Sequence, residues 1–317
     1  MSVKVKLRIA DLIVQIQSAF PLVEMTKKEK IKEFVQLFDN FIYWGEKKAQ
    51  IVIDLRFVDQ LPELKSTKDT FITRYHQKKR ESWRITPQGR HYIYQSPLKD
   101  GEAAAFIDKR FSRAIFYLLP RKDKGKAWKI ADVSYNFLQI LMINYLALRK
   151  LGIFAHGLGI HDRGQKGRLF CGKSQAGKST SAKIWFKHSR AMVLNDDRVI
   201  VRKINKRFFI YSSPWPGEFR ENFRSCLKPA PLKQLFFIYH ARKNIVARID
   251  PALAFGLLYS NTFLAFWNKQ CLENTIAFCD QLINEVPCYN LGFVNDKKII
   301  KFVRSIDSRT GHERTAV

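Results

Sequence analysis

The stretch that most limits what this chain can become runs Gly172-Lys173-Ser174-Gln175-Ala176-Gly177-Lys178-Ser179-Thr180. It meets the pattern G-x-x-x-x-G-K-[ST] at every fixed position. Two glycines let the backbone wrap an anion, so that successive N–H groups point at phosphate oxygens. The lysine then reaches the β- and γ-phosphates and the hydroxyl of Ser179 suits Mg²⁺. Such a loop needs a strand before it and a helix after it, whose N-terminal dipole favours negative charge. Arg168-Leu169-Phe170-Cys171 is an apolar run fit for a buried strand, and Thr180 to His188 predicts a helix. A glycine-rich turn before a helix is the plainer alternative; with strand and helix both in place, nucleoside triphosphate binding is the expectation.

The second chemical signal is Asn195-Asp196-Asp197, at the end of a strand over Ala191 to Leu194. A carboxylate there is where a nucleotide-bound Mg²⁺ takes its second protein contact, and its neighbour could accept a proton from an attacking hydroxyl. Neighbours on extended backbone point opposite ways, so the two do not share one role; a turn or capping aspartate is the alternative. His156 lies on the strand before the loop, Ile153 to Ile160, and could touch the transferred phosphoryl or orient the base. Taken alone, it also fits a half-buried structural histidine.

Charge adds a partner class. The chain of 317 residues carries 56 Lys+Arg against 28 Asp+Glu, a formal +28, and residues 163–248 hold 20 Lys/Arg with only Asp196, Asp197, Glu218 and Glu221 opposing them. Part of this suits a polyphosphate; the rest could draw an acidic partner, nucleic acid or anionic lipid, or be a solvated surface. No aromatic–basic RNA motif, zinc finger or helix-turn-helix pattern sharpens the nucleic-acid idea. Cys171, Cys226, Cys271, Cys279 and Cys288 are scattered without C-x-x-C spacing, which predicts buried thiols in a reducing, cytoplasmic setting rather than disulfides or zinc. The N-terminus mixes charge into its apolar positions, unlike a signal peptide, and no run approaches 18 apolar residues, so no membrane span is expected.

Along the chain, helical spacing over Ile9 to Phe20 and Ile31 to Ile42 predicts two helices split by Pro21, with Lys27 to Lys30 as a solvated face; a partner-docking arm would look the same. Strands are predicted at Gln50–Val58, Phe71–Tyr75, Ser82–Thr86, His91–Gln95 and Ala103–Ile107, with Pro87, Gly89, Pro97 and Gly101 as turns and His76 and His91 as isolated surface histidines. A charged loop at 121–126 precedes an apolar helix, Val133 to Leu151, expected to lie inside the nucleotide-binding core. Further strands are expected at Arg198–Lys203, Phe208–Tyr211, Gln234–Tyr239 and Val286–Phe293, and helices at Pro251–Tyr259, Phe263–Asn284 and Lys297–Arg304. The fold expectation is α/β (α+β): a helical then β-rich accessory region over 1–125, a nucleotide-binding core over 126–305 and a polar tail over 306–317.

The order His156-Gly157, Gly172 to Thr180, Asn195-Asp196-Asp197-Arg198 resembles the catalytic core of the HPr kinase/phosphorylase superfamily, and more closely HPr-kinase-like proteins that lack the regulatory N-terminal domain. Ser213-Pro214-Trp215-Pro216-Gly217 and Val286 to Phe293 resemble that group's Pro-Trp turn and closing strand. The resemblance covers roughly 130–305. It implies a phosphoenolpyruvate-carboxykinase-like mixed-sheet fold and an ATP-dependent kinase that phosphorylates a serine-type hydroxyl. It also implies Lys178 on the β/γ-phosphates, Ser179 and Asp197 at Mg²⁺, Asp196 as preferred base and His156 beside the phosphoryl. The family's E-x-R-G signature is incomplete: Glu218-Phe219-Arg220 is followed by Glu221. That leaves phosphorylase activity and HPr as the acceptor unsupported. A nucleotide-dependent regulatory module without transfer is the alternative. The acceptor (protein, peptide or small molecule), the nucleoside base and any homo-oligomeric assembly stay open.

Overall fold

The computed structural model describes residues 3–18, 36–63, 67–74, 81–98, 101–119, 136–173, 175–219 and 228–309. The expectations at Lys27–Lys30, His76, 121–126, Ser174, Arg220, Glu221 and Cys226 and over most of the C-terminal tail lie outside these residues, as do residues 31–35 of the second predicted helix; its described part forms a helix over the four residues Gln36–Asp39. The chain forms two compact units, Met1–Lys150 with Leu264–Asn274, and Leu151–Phe263 with Thr275–Val317.

The first unit is built on an eight-stranded mixed sheet. It begins with a hairpin, β1 (Val3–Ile9) and β2 (Leu12–Ser18). The helix expected over Ile9 to Phe20 is therefore corrected to strands. Ala10 and Asp11 turn the chain at φ 48 and 61, the two-residue geometry that matches strand twist. Val14 and Ile16 are buried while Gln15 and Gln17 are not, a period of two that the short apolar run conceals. β3 (Ile51–Phe57) pairs parallel to β2 and to β8 (Arg113–Leu118). β4 (Phe71–Arg74), β5 (Glu81–Gln88), β6 (His91–Leu98) and β7 (Gly101–Asp108) complete the order β1-β2-β3-β8-β7-β6-β5-β4. Pro87 and Pro97 lie within β5 and β6 rather than in turns, whereas Gly89 turns at φ 50.

Two helices, α1 (Gln36–Asp39) and α2 (Phe137–Leu148), belong to this unit. Phe137 packs its ring against Tyr94 and Phe116, at 5.1 and 4.6 Å. This packing explains why the apolar helix groups with the first unit's sheet, and the two compact units divide after Lys150. Residues 264–274 join the same unit through Trp267, which meets Phe71 and Trp83 at 5.4 and 5.3 Å.

The second unit is α/β. β9 (Gly152–Asp162) and β10 (Lys166–Cys171) form an antiparallel pair, followed by α3 (Lys178–His188), β11 (Met192–Asn195), β12 (Arg198–Ile204) and β13 (Arg207–Tyr211). Then come β14 (Ala230–His240), β15 (Ile245–Arg248), α4 (Pro251–Ser260), α5 (Lys269–Glu285, in this unit from Thr275), β16 (Cys288–Phe293) and α6 (Lys298–Arg309). The order is β10-β9-β12-β13-β14-β16-β15, with β11 also on β9, and β10 pairs in parallel with β14. The run β10-β9-β12-β13-β14 thus returns to its start. β14 is apolar on both faces, as a strand covered on both sides must be. Leu235 and Phe237 join a core with Leu258, Phe278 and Leu282, while Phe236 and Ile238 join another with Trp185, Val303 and Ile306.

One buried ion cluster ties the second unit together. Asp162 accepts from Arg168 at 2.7 Å and from Arg304 at 2.6 Å; the Asp162 and Arg168 side chains are each 1% exposed. Cys171, Cys271, Cys279 and Cys288 are all buried, and burial pushes each thiol up to about 12. Among the described residues no helix is long and apolar enough to cross a membrane.

Candidate active site

The site is assembled where three segments of the second unit meet. β10 ends at Cys171, the loop Gly172 to Gly177 follows, and α3 opens at Lys178. Gly177 sits at φ 93, and a Cβ there would lie 2.7 Å from the Phe293 ring, so both backbone and space demand glycine. Lys178 folds back over the loop, donating to the carbonyls of Gly172 at 2.7 Å and Lys173 at 3.1 Å. Burial lowers the Lys178 pKa, and the nearby Cys171, Asp197 and Asp196 only partly oppose it. Its side chain is held where a phosphate anion would restore the charge that burial disfavours.

Asp196 and Asp197 interrupt a single antiparallel ladder along β9. β11 pairs with Gly159 to His161 and β12 with Gly152 to His156. Between them the aspartates bulge opposite Gly157, whose N–H donates to the Asp197 carbonyl at 3.0 Å. Bulges re-aim side chains in this way. Asn195 fixes the bend through its side chain: Oδ1 accepts from the N–H groups of Asp197 and Arg198, both at 2.8 Å, and Nδ2 donates to the carbonyls of Ser213 and Trp215.

The two carboxylates consequently have separate partners. Asp196 is buried, 2% exposed. It accepts from the Ser179 hydroxyl at 2.8 Å, from Gly217 N at 2.8 Å and from Phe219 N at 2.9 Å. A Cβ on Gly217 would lie 3.0 Å from Asp196 Oδ2, so its bare backbone is what comes so close. Asp197 instead meets His156 Nε2 at 3.2 Å and pairs with Arg198. Burial works to raise the Asp197 pKa, but the His156 hydrogen bond and the charges of Arg198, His156 and Lys178 outweigh it, and the net direction is down. His156 is anchored by its own backbone, donating to the Asn261 carbonyl at 2.6 Å, and its ring lies edge-on to Phe263 at 6.2 Å.

These groups line one cleft of about 480 Å³, with His156, Gln175, Gly177, Lys178, Ser179, Thr180, Asp196 and Asp197 on its walls. All the described site residues expected from the sequence therefore lie on this cleft or in the loop beside it. Glu218, from the incomplete signature, also lines it. Two lining residues were not expected: His240, at the end of β14, and Asn295, after β16. His240 Nε2 donates to the Gln175 carbonyl at 3.0 Å across 65 residues of sequence, and no local pattern announces so distant a partner.

Ser179 and Asp196 offer hydroxyl and carboxylate oxygens. This hard donor set suits Mg²⁺, which takes one or two carboxylates and completes its shell with water and phosphate oxygens. No group of three or more His, Cys, Asp or Glu side chains placed to hold a metal occurs among the described residues, so a wholly protein-made cage is not what this donor set provides. No protein-family model matches the chain, and no curated protein matches it significantly.

Proposed function

We propose that the chain is an ATP-dependent kinase of the HPr-kinase-like type, with a phosphoenolpyruvate-carboxykinase-like core, that moves the γ-phosphoryl group to a hydroxyl acceptor. The observation that carries this reading is the convergence of loop and carboxylates: Ser179 donates to Asp196 at 2.8 Å, while Asp197 stands free of that contact on His156. Phosphoryl transfer asks a protein mainly for positioning and charge neutralisation, and the cleft offers both.

Lys178 would leave the loop carbonyls for the β- and γ-phosphates. Ser179 and Asp196 would hold Mg²⁺, which supplies neutralisation of phosphate charge when bound. Asp197 would take the acceptor's proton as the acceptor oxygen bonds to phosphorus; the bond to the β,γ-bridging oxygen then breaks and the diphosphate leaves. His156 would orient Asp197. The aspartate roles are thus exchanged relative to the preference drawn from the resemblance, because Asp196 is committed to Ser179 and two backbone N–H groups whereas Asp197 is not.

A second reading, a nucleotide-dependent module without transfer that docks an acidic partner, draws on Glu221 where the signature has glycine and on the 20-to-4 charge excess over 163–248. Incubating the protein with γ-labelled ATP, Mg²⁺ and a cell lysate separates the two. Label on an acceptor, lost in Asp197→Asn, supports the kinase; ATP binding without any labelled acceptor supports the module.

A further inference from the structure

We infer that the end of the cleft formed by His240 and Asn295 seats the nucleoside, with the base lying against the His240 imidazole; this rests on reading the loop as a triphosphate site. The strands fix the direction. β10, β14 and β16 run parallel: β14 and β16 end together at His240 and Phe293, and β10 ends at Cys171 beside Phe237, three residues short of them, at the carboxyl ends of parallel strands, where ligands settle in α/β folds. Asp196 and Asp197 come from the opposite flank of β10, through β9. The γ-phosphate must face those carboxylates and Ser179, so the nucleoside leaves the loop toward β14 and β16.

What waits there is suited to a flat heterocycle. His240 is exposed and lines the cleft, yet its ring is held rather than loose. Nε2 is fixed on the Gln175 carbonyl at 3.0 Å, and the ring lies 5.5 Å from Phe293 at an interplanar angle of 32°. Because a carbonyl only accepts, Nε2 carries the proton. A ring already immobilised loses little freedom when a base stacks on it. Asn295 adds a side-chain donor and acceptor on the same rim, the functional pair needed for ribose hydroxyls or a base edge.

The test compares Mg²⁺-ATP with Mg²⁺-tripolyphosphate by calorimetry on the full chain, for wild type, His240→Ala, His240→Phe and Asn295→Ala. The expected result is that His240→Ala weakens ATP by about 5- to 100-fold, the span of losing one stacking side chain, with tripolyphosphate affinity unchanged. His240→Phe should keep ATP near wild type, and Asn295→Ala should weaken ATP alone. Equal loss of both ligands in His240→Ala would make the ring a support for the loop and overturn the proposal, as would no loss of either. If wild type binds neither ligand, the triphosphate reading of the loop fails first; if wild type binds both equally tightly, the loop reading stands and the nucleoside seat falls.

Discussion

Ser179 Oγ donates to Asp196 Oδ2 at 2.8 Å, joining the first turn of α3 to the bend between β11 and β12. Asp197, one residue on, shares none of Asp196's hydrogen-bond partners among the described residues. Asp197→Asn should therefore leave Mg²⁺-ATP affinity near wild type and lower phosphotransfer by about 10²-fold or more, the scale of a lost general base. Asp196→Asn should instead raise the Mg²⁺ concentration needed for tight ATP binding. Titrations of ATP with Mg²⁺ and with EDTA, alongside turnover, distinguish them; full turnover in Asp197→Asn would end its assignment as base.

Lys178→Ala should remove transfer and weaken binding of ATP and tripolyphosphate alike. The side chain donates its hydrogen bonds to the loop carbonyls of Gly172 and Lys173, so the melting temperature should change little while turnover falls by about 10²-fold or more, as when a preorganised charge-stabilising donor is removed. A large loss of stability with ATP binding intact would show Lys178 to be a structural strut.

Gly177→Ala tests the loop's shape. Its φ of 93 costs a residue with a Cβ about 1–2 kcal/mol, and the Cβ would also press on Phe293 at 2.7 Å. Denaturant unfolding should show that loss or more, together with weakened tripolyphosphate binding. Wild-type stability in this variant would mean that the loop adopts another backbone.

The Asp162 cluster predicts how stability depends on pH. Burial alone raises the Asp162 pKa, but hydrogen bonds from Arg304 and Arg163 N and the charges of Arg168 and Arg304 bring it net below 3.8. A depressed carboxylate stabilises the fold above its unfolded pKa, and that contribution is lost as pH falls through the folded value. Asp162→Asn leaves Arg168 buried without its counter-charge and should cost about 3–5 kcal/mol. It should also remove part of the loss of stability expected of the wild type below about pH 4. Urea unfolding of wild type and variant between neutral pH and pH 3 measures both.

The loop, its strand and its helix were legible in the sequence because fixed spacing and local chemistry specify them. The separate orientation of Asp196 and Asp197 was legible for a similar reason, since extended neighbours alternate. The partners that separate them were not, because those of Asp196 include Gly217 and Phe219, which reach back from beyond β13. β2 carries a helical signal because residues 9–20 satisfy a helical spacing by coincidence, while the alternation of Gln15 and Gln17 with apolar neighbours is the better guide. β8 and β15 escaped the sequence reading; β15 is four residues long and mostly exposed, too short to show a period. The placement of α2 depended on the rings of Tyr94 and Phe116, distant positions that no window around Phe137 contains.

Strand β9 is paired on one edge with β10 and on the other with β11 and β12. Its alignment is thus read twice, by neighbours that meet again through β13 and β14. Slipping β9 by one residue would turn every side chain on it to the other face, carrying His156 away from Asp197 and Gly157 away from the start of the loop in the same movement. Over Gly159 to His161 both edges of β9 are paired at once, which resists such a slip. A misaligned chain would forfeit ladder, core and cleft together, so the pairing that builds the site also acts as the check on whether the strand has been laid down correctly.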